Sequence, residues 1–399
     1  MRLPVLLPLA VLLLTACVRE PLLPGTPRFI HEPAAGGRKA GGDPHASTPE
    51  AEPGGHVWLT AVRYPDGFDW EQDTCAVEGT VWIDLYRDLE RVLSVPAGTS
   101  VHPDMHRFTG GHLYSDASTD SETVVLRDGE ELFRFPGRES LRGFLVREDG
   151  VHTLGQDRDG NGFTLRVDGR TVFRSETGTV FGTLDGTGPG GLDGSGEDDV
   201  FSCRIPSEKG FEYRVMLGAE VLRSLPADGV DAFGYVGGKV CRVMNVRRRT
   251  VLEVDGKETP MDNRTGEVLL WCRMLSWGDD VVVLACVSGI EKRRTFLQSA
   301  AGWLSLPVGT VGDCLTGEGR MGWTETDGEG NLLRVCLSEG GAFPVEKGMR
   351  LAAGSCARLA GGHLYMALTG RGGVPNRFQT DAESVEVPFN GYFTSVTVV

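Results

Sequence analysis

Beyond its first sixteen residues, this 399-residue chain has no run of 18 uninterrupted apolar residues. Nothing after that point therefore reads as a membrane-spanning helix. Its nine cysteines include no Cys-x-x-Cys pair, which argues against a structural zinc site of the finger or ribbon kind. No phosphate-binding Gly-Lys-Ser/Thr loop is present, no dinucleotide fingerprint lies between a strand and a helix, and no Gly-x-Ser-x-Gly elbow appears. Basic residues are too few to balance the acids: 40 Lys and Arg face 55 Asp and Glu, leaving a net charge of −15. That balance argues against nucleic acid and against anionic membrane surfaces as partners. Helical periodicity is scarce as well. What the chain has instead is glycine, 56 residues of it, with a mean hydropathy of −0.14. Many turns between short strands account for such a composition better than helices do.

The chain opens MRLPVLLPLAVLLLTACVRE. One basic residue, Arg2, precedes an apolar run from Leu3 to Leu14, which is the length of a signal-peptide core. The run ends in Leu14-Thr15-Ala16-Cys17, a sequence that resembles the lipobox of bacterial lipoproteins. The resemblance implies that residues 1–16 are a cleaved signal peptide. Cys17 would then carry acyl chains such as palmitate that hold the protein in a lipid bilayer without a spanning helix. It places the protein in the bacterial cell envelope, at the outer membrane. Residues 17–55 are rich in Pro, Gly, Ala and charge and show no apolar period; they read as a lipidated cysteine followed by a tether. The folded domain is expected over 56–399.

Gly-His-Leu-Tyr occurs twice, at 111–114 and 362–365. The first copy opens GHLYSDASTDSETVVLRDGEELFRF, in which Asp128-Gly129 separates two apolar alternations. Asp-Gly at such a place is a hairpin signal, because the turn needs positive φ and Gly supplies it cheaply. The same grammar returns as LRVDG, with Asp168-Gly169, and as LEVDG, with Asp255-Gly256. Repeating units start near 104, 141, 178, 230, 267, 310 and 350, about 40 residues apart, as four-stranded repeats would. One such sheet cannot bury both faces, but a radial stack of them can. The first unit, 56–96, shows three strands and no inner one, whereas the tail 391–399 is a strand with no unit of its own. The expected fold is all-β: a β-propeller of eight blades, or seven, closed by the C-terminal strand. Two β-sandwich domains are the competing arrangement. The pattern is similar to propeller-type bacterial lipoproteins over about 340 residues, without the signature of any particular propeller family.

Four stretches offer chemistry. In Val101-His102-Pro103-Asp104-Met105-His106, alternation along an extended chain would turn His102, Asp104 and His106 to one side, as nitrogen and oxygen ligands for a divalent metal. Pro103 disturbs that alternation. The loop 64–79 carries Asp66, Asp69 and Trp70; an aromatic ring beside carboxylates suits a sugar or a peptide, although a Trp that packs the loop down is the plainer reading. Asp157 to Gly162, with Asp168 at position twelve, resembles the start of an EF-hand loop, but its flanks read as strand and favour a turn. Arg247, Arg248, Arg249, Arg293, Arg294, Arg371 and Arg377 fall in equivalent loops, where they are solvated charges or a site for a carboxylate or anionic glycan. The eight cysteines other than Cys17 sit mostly in apolar strands and read as buried free thiols, with one or two disulfides left open by export.

These features point to a membrane-anchored module that binds a protein partner or a glycan without catalysis. The alternative is an envelope polysaccharide hydrolase or lyase with a site near His102, Asp104, His106 and Asp69.

Overall fold

A computed structural model describes residues 55–399, apart from 73–79, 98–105, 118–120, 158–160, 181–199, 227–229, 290–292 and single or paired positions elsewhere. Its strands form eight antiparallel sheets of four or five strands, set around a ring as an eight-bladed β-propeller. The blades start, inner strand first, at His106, Glu139, Thr179, Val230, Val268, Val311 and Met349. The remaining blade, blade 1, contains Val57–Arg63, Trp82–Arg87 and Glu90–Pro96, and it takes its inner strand from the other end of the chain.

That strand is Gly391–Val398, antiparallel to Val57–Arg63, with Val57 opposite Val398 and Arg63 opposite Gly391. It completes the sheet that the first unit lacks, so the first and last repeats share blade 1 and no inner sheet edge is left open there. Gly391 has φ 148°, and a Cβ on it would lie 1.9 Å from the Val62 carbonyl oxygen. Only glycine lets the closing strand approach so near.

The recurring Asp-Gly has a physical explanation. Asp128 (φ 54°) and Gly129 (φ 87°) form the hairpin between the third and fourth strands of blade 2. The Asp128 amide donates to the Leu113 carbonyl at 2.8 Å, and the Leu113 amide donates to Asp128 Oδ1 at 2.9 Å. The aspartate thus tolerates the left-handed turn and also fastens the neighbouring second strand. Asp88 does the same with Val57, Asp168 with Val151, and Asp255 with Val240. The duplicated Gly-His-Leu-Tyr starts the second strands of blades 2 and 8, each entered through two left-handed glycines. In both, the histidine meets an aspartate: His112 with Asp128 at 2.5 Å, and His363 with Asp381 at 3.1 Å.

Apolar clusters run between blades. Phe163, Phe201 and Phe233, from blades 3, 4 and 5, belong to one of them. Trp58 of blade 1 stacks on Phe108 of blade 2 with centroids 4.4 Å apart. Blade 3 holds a buried ion pair between its inner and third strands, beside blade 2. Arg166 donates from Nη1 and Nη2 to the two carboxylate oxygens of Glu139, both at 2.6 Å, while its guanidinium lies 3.8 Å from the centre of the Phe135 ring. Cys203, Cys241, Cys272, Cys286, Cys314, Cys336 and Cys356 are buried, acting as the small hydrophobes expected of them. Cys17 and Cys75 lie outside the described residues.

Candidate functional site

Connections from second to third strand, and from one blade to the next, share one face of the ring. On that face, at the seam between blades 8 and 1, is a depression of about 550 Å³. One wall is the loop 67–72, including Phe68, Asp69, Trp70 and Glu71; the other is Gly370 and Gly372 to Asn376, together with Phe389 to Gly391.

Two asparagines fix this shape. Asn390 donates from Nδ2 to the carbonyls of Pro65 (2.6 Å) and Phe68 (2.9 Å), and its own carbonyl accepts from the Tyr64 amide at 2.8 Å. Asn376 donates to Phe389 O and Gly391 O, at 3.0 and 3.2 Å, and accepts from the Gly370 amide at 3.0 Å. Gly370 has no room for a side chain, since a Cβ would lie 1.9 Å from the Val374 carbonyl oxygen. The turn after Pro65 uses Gly67 at φ 81°, and Asp69 Oδ1 accepts from the Glu71 amide at 3.2 Å. The loop is therefore held by local chemistry at both ends.

Beneath it lies an aromatic stack. Tyr64 is buried; its ring is 5.3 Å from Phe68 and 6.2 Å from Trp70, nearly parallel to both. Burial, reinforced by Tyr392, drives the Tyr64 phenol far above its ordinary pKa. Trp70 also meets Tyr392 at 5.1 Å, and the Arg350 guanidinium lies over the indole at 5.1 Å. Trp70 thus packs the loop onto the blade, with its ring already engaged by protein.

A charged triad caps the stack. Glu71 Oε1 receives Arg350 Nη2 at 2.9 Å and Arg371 Nε at 3.0 Å. Burial holds the Arg350 guanidinium below its ordinary pKa, a shift that Glu71 opposes, and its buried Nε has no acceptor. Two cations share one carboxylate oxygen here, an arrangement able to bind a further anion or to hold the loop.

The expected residues are distributed unevenly. Asp66 and Asp69 are exposed on the seam loop and Trp70 is half-buried there. His106 lies elsewhere, at the start of the inner strand of blade 2, where Nε2 pairs with Thr394 Oγ1 of the closing strand at 2.7 Å. Thr394 in turn meets Thr60 at 2.7 Å. Burial pushes the His106 imidazole down to about 4. His102 and Asp104 lie outside the described residues, and among the described residues no three His, Cys, Asp or Glu could hold a metal ion. The groups expected to converge for a hydrolase or lyase are therefore not seen together: Asp69 lines the depression and His106 does not. Asp168 is committed to its hairpin, as a turn reading of 157–168 requires. Of the loop arginines, Arg294 is held by Asp262 and Glu267, Arg377 by Glu346, and Arg371 reaches the seam. Arg247 and Arg248 lie outside the described residues.

Arg350, Asn376, Asn390 and Tyr392 are contributors that sequence reasoning did not single out, whereas Glu71 closes the acidic stretch 66–71 that it did. Together these residues come from both ends of the chain. The available signal was the closure itself, which brings the end of blade 8 beside the loop of blade 1.

No family model matches the chain, and no curated protein does. Solved structures do match. AztD of Citrobacter koseri aligns with 86% of this chain and 98% of its own, at 9% identity and a TM-score of 0.50. The β-propeller domain of the Trilobed protease from Pyrococcus furiosus, described as having an open velcro topology, covers 62% of this chain and 82% of its own at 11% identity, with a TM-score of 0.38. PorZ of Porphyromonas gingivalis, described as a bacterial surface component of the type-IX secretion system, covers 82% and 46% at 13% identity, with a TM-score of 0.35. At 9% identity the likeness to AztD is one of fold.

Proposed function

We propose that this chain is a lipid-anchored protein of the bacterial cell envelope whose propeller docks a protein partner on the seam face. The observation that carries the docking reading is the depression of about 550 Å³ between blades 8 and 1, its walls tied by Asn376 and Asn390. Glycines on its far wall leave backbone accessible, while Asp69, Glu71 and Gln72 line the near one. Concave sites with a few fixed polar groups are the usual places for recognition. A glycan is the weaker reading, because a sugar needs an open aromatic face and Trp70 already packs on Tyr64, Tyr392 and Arg350. The anchoring part rests on Leu14-Thr15-Ala16-Cys17.

A photo-crosslinking side chain at Gln72 tests the docking, with the same group at exposed Val172, on blade 3, as control. One discrete protein adduct is expected at position 72, absent at 172 and abolished by Asp69→Arg. Identical adducts at both positions, or none at 72, overturn the reading. Labelling with an alkyne-tagged palmitate tests the anchor: incorporation is expected in the parent and lost in Cys17→Ser. Labelling that survives that change removes the anchor.

A further inference from the structure

We infer that the seam depression recognises a carboxylate on the protein partner, and that Glu71 occupies the carboxylate's place until the partner arrives. This rests on the reading of the seam as a docking face. Arg350 and Arg371 come from blade 8, one from its inner strand and one from the loop after its second strand. Both reach across the seam to a single oxygen, Glu71 Oε1, at 2.9 and 3.0 Å. A paired guanidinium clamp is the usual protein device for a carboxylate, because its N–H groups match two oxygens in one plane. Here only part of that capacity is used, and Arg350 Nε, buried, has no acceptor. A guanidinium partly out of water with an unmet donor gains more from a second carboxylate oxygen than an exposed one would.

Glu71 is a replaceable occupant. Its side chain is 26% exposed and belongs to a loop that Asn390 and the Tyr64 stack hold by other atoms. A partly exposed ion pair is weak, so Glu71 can turn to solvent while the loop stays in place. The ligand's carboxylate would then meet the donors of both arginines beside the indole of Trp70. Peptide is favoured over an acidic sugar, for the indole presents no unoccupied stacking face and the opposite wall, Gly370, Gly372 and Gly373, carries no side chains to obstruct an extended chain. Competition by Glu71 lowers the apparent affinity in proportion to the fraction of arginine clamps it fills.

The test uses the detergent-solubilised full chain, with N-acetyl-Gly-Gly-Leu as free acid, the same peptide as C-terminal amide, and glucuronate. Glu71→Gln is expected to bind the free acid at least tenfold more tightly than the parent. The amide is expected to bind neither protein, and Glu71→Gln combined with Arg371→Gln is expected to lose the gain. Equal binding of acid and amide overturns the inference, as does unchanged affinity in a Glu71→Gln protein that melts like the parent. Glucuronate binding as tight as the peptide acid's overturns the peptide assignment. If Glu71→Gln melts well below the parent, Glu71→Asp carries the same comparison, since the shorter side chain cannot span to both arginines. A failed carboxylate preference with an intact Gln72 adduct sinks this inference and leaves the docking face standing; loss of the adduct sinks the face itself.

Discussion

Replacing Arg166 with methionine should destabilise the protein strongly. Arg166 and Glu139 are 5% and 7% exposed, and both of their hydrogen bonds measure 2.6 Å. Glu139 has nowhere to retreat: its Oε2 would lie 2.0 Å from a Cβ built on Gly155, and its amide is tied to Thr123 Oγ1 at 2.9 Å. Methionine would fill the space against Phe135 but leave a carboxylate buried without a partner. Breaking a buried pair in this way costs about 3–5 kcal/mol. Removing the second charge as well should recover most of that, because two apolar groups of matching volume are often as stable as the pair. Urea unfolding of the parent, Arg166→Met, Glu139→Leu and the double variant, followed by tryptophan fluorescence, gives the coupling energy directly. Each single variant should lose about 3 kcal/mol or more, and the double less than either. A single-variant loss under about 1 kcal/mol, or strictly additive losses, would refute the claim that this pair ties the inner strand of blade 3 to its third.

Truncation after Asn390 removes the inner strand of blade 1 and should abolish cooperative unfolding, read as loss of a single urea transition; a truncated chain that melts like the parent refutes closure by the tail. The His106 imidazole is held at about 4, whereas an unfolded chain protonates near 6.5. The unfolded state therefore binds the extra proton between those values, and stability should fall by about 3 kcal/mol as pH drops from about 6.5 to 4. His106→Gln should flatten that slope in pH-dependent urea titrations. Burial pushes the Cys203 thiol up to about 12, so a native-state thiol reagent should leave it unlabelled at pH 8 and label it in urea; rapid native labelling contradicts its burial.

The blades were legible because a local rule repeats. Asp128, Asp168 and Asp255 each occupy the left-handed turn that only a few residues accept, and each does so at the same distance from the next strand. The missing strand of the first unit and the surplus strand at the tail were legible for the same reason: four-stranded sheets leave no other accounting for 391–399. The site was less so. Trp70 was visible as an aromatic beside acids, but its partner Arg350 is 280 positions away and becomes its neighbour only through ring closure. Asn376 and Asn390 look like ordinary loop residues until their amides are seen holding opposite walls. For His106, the expected companions His102 and Asp104 lie outside the described residues, and the described partner is a hydroxyl of the closing strand.

The strand that closes the ring also brings the two ends of the domain together. Gly391 borders the depression, whereas seven residues later Val398 lies opposite Val57, and the Val399 amide donates to the His56 carbonyl at 3.0 Å. Both ends of the domain thus leave from one spot, roughly 20 Å below the seam at the rise of an extended strand. Residue 56, where the domain begins, therefore lies on the face opposite the depression.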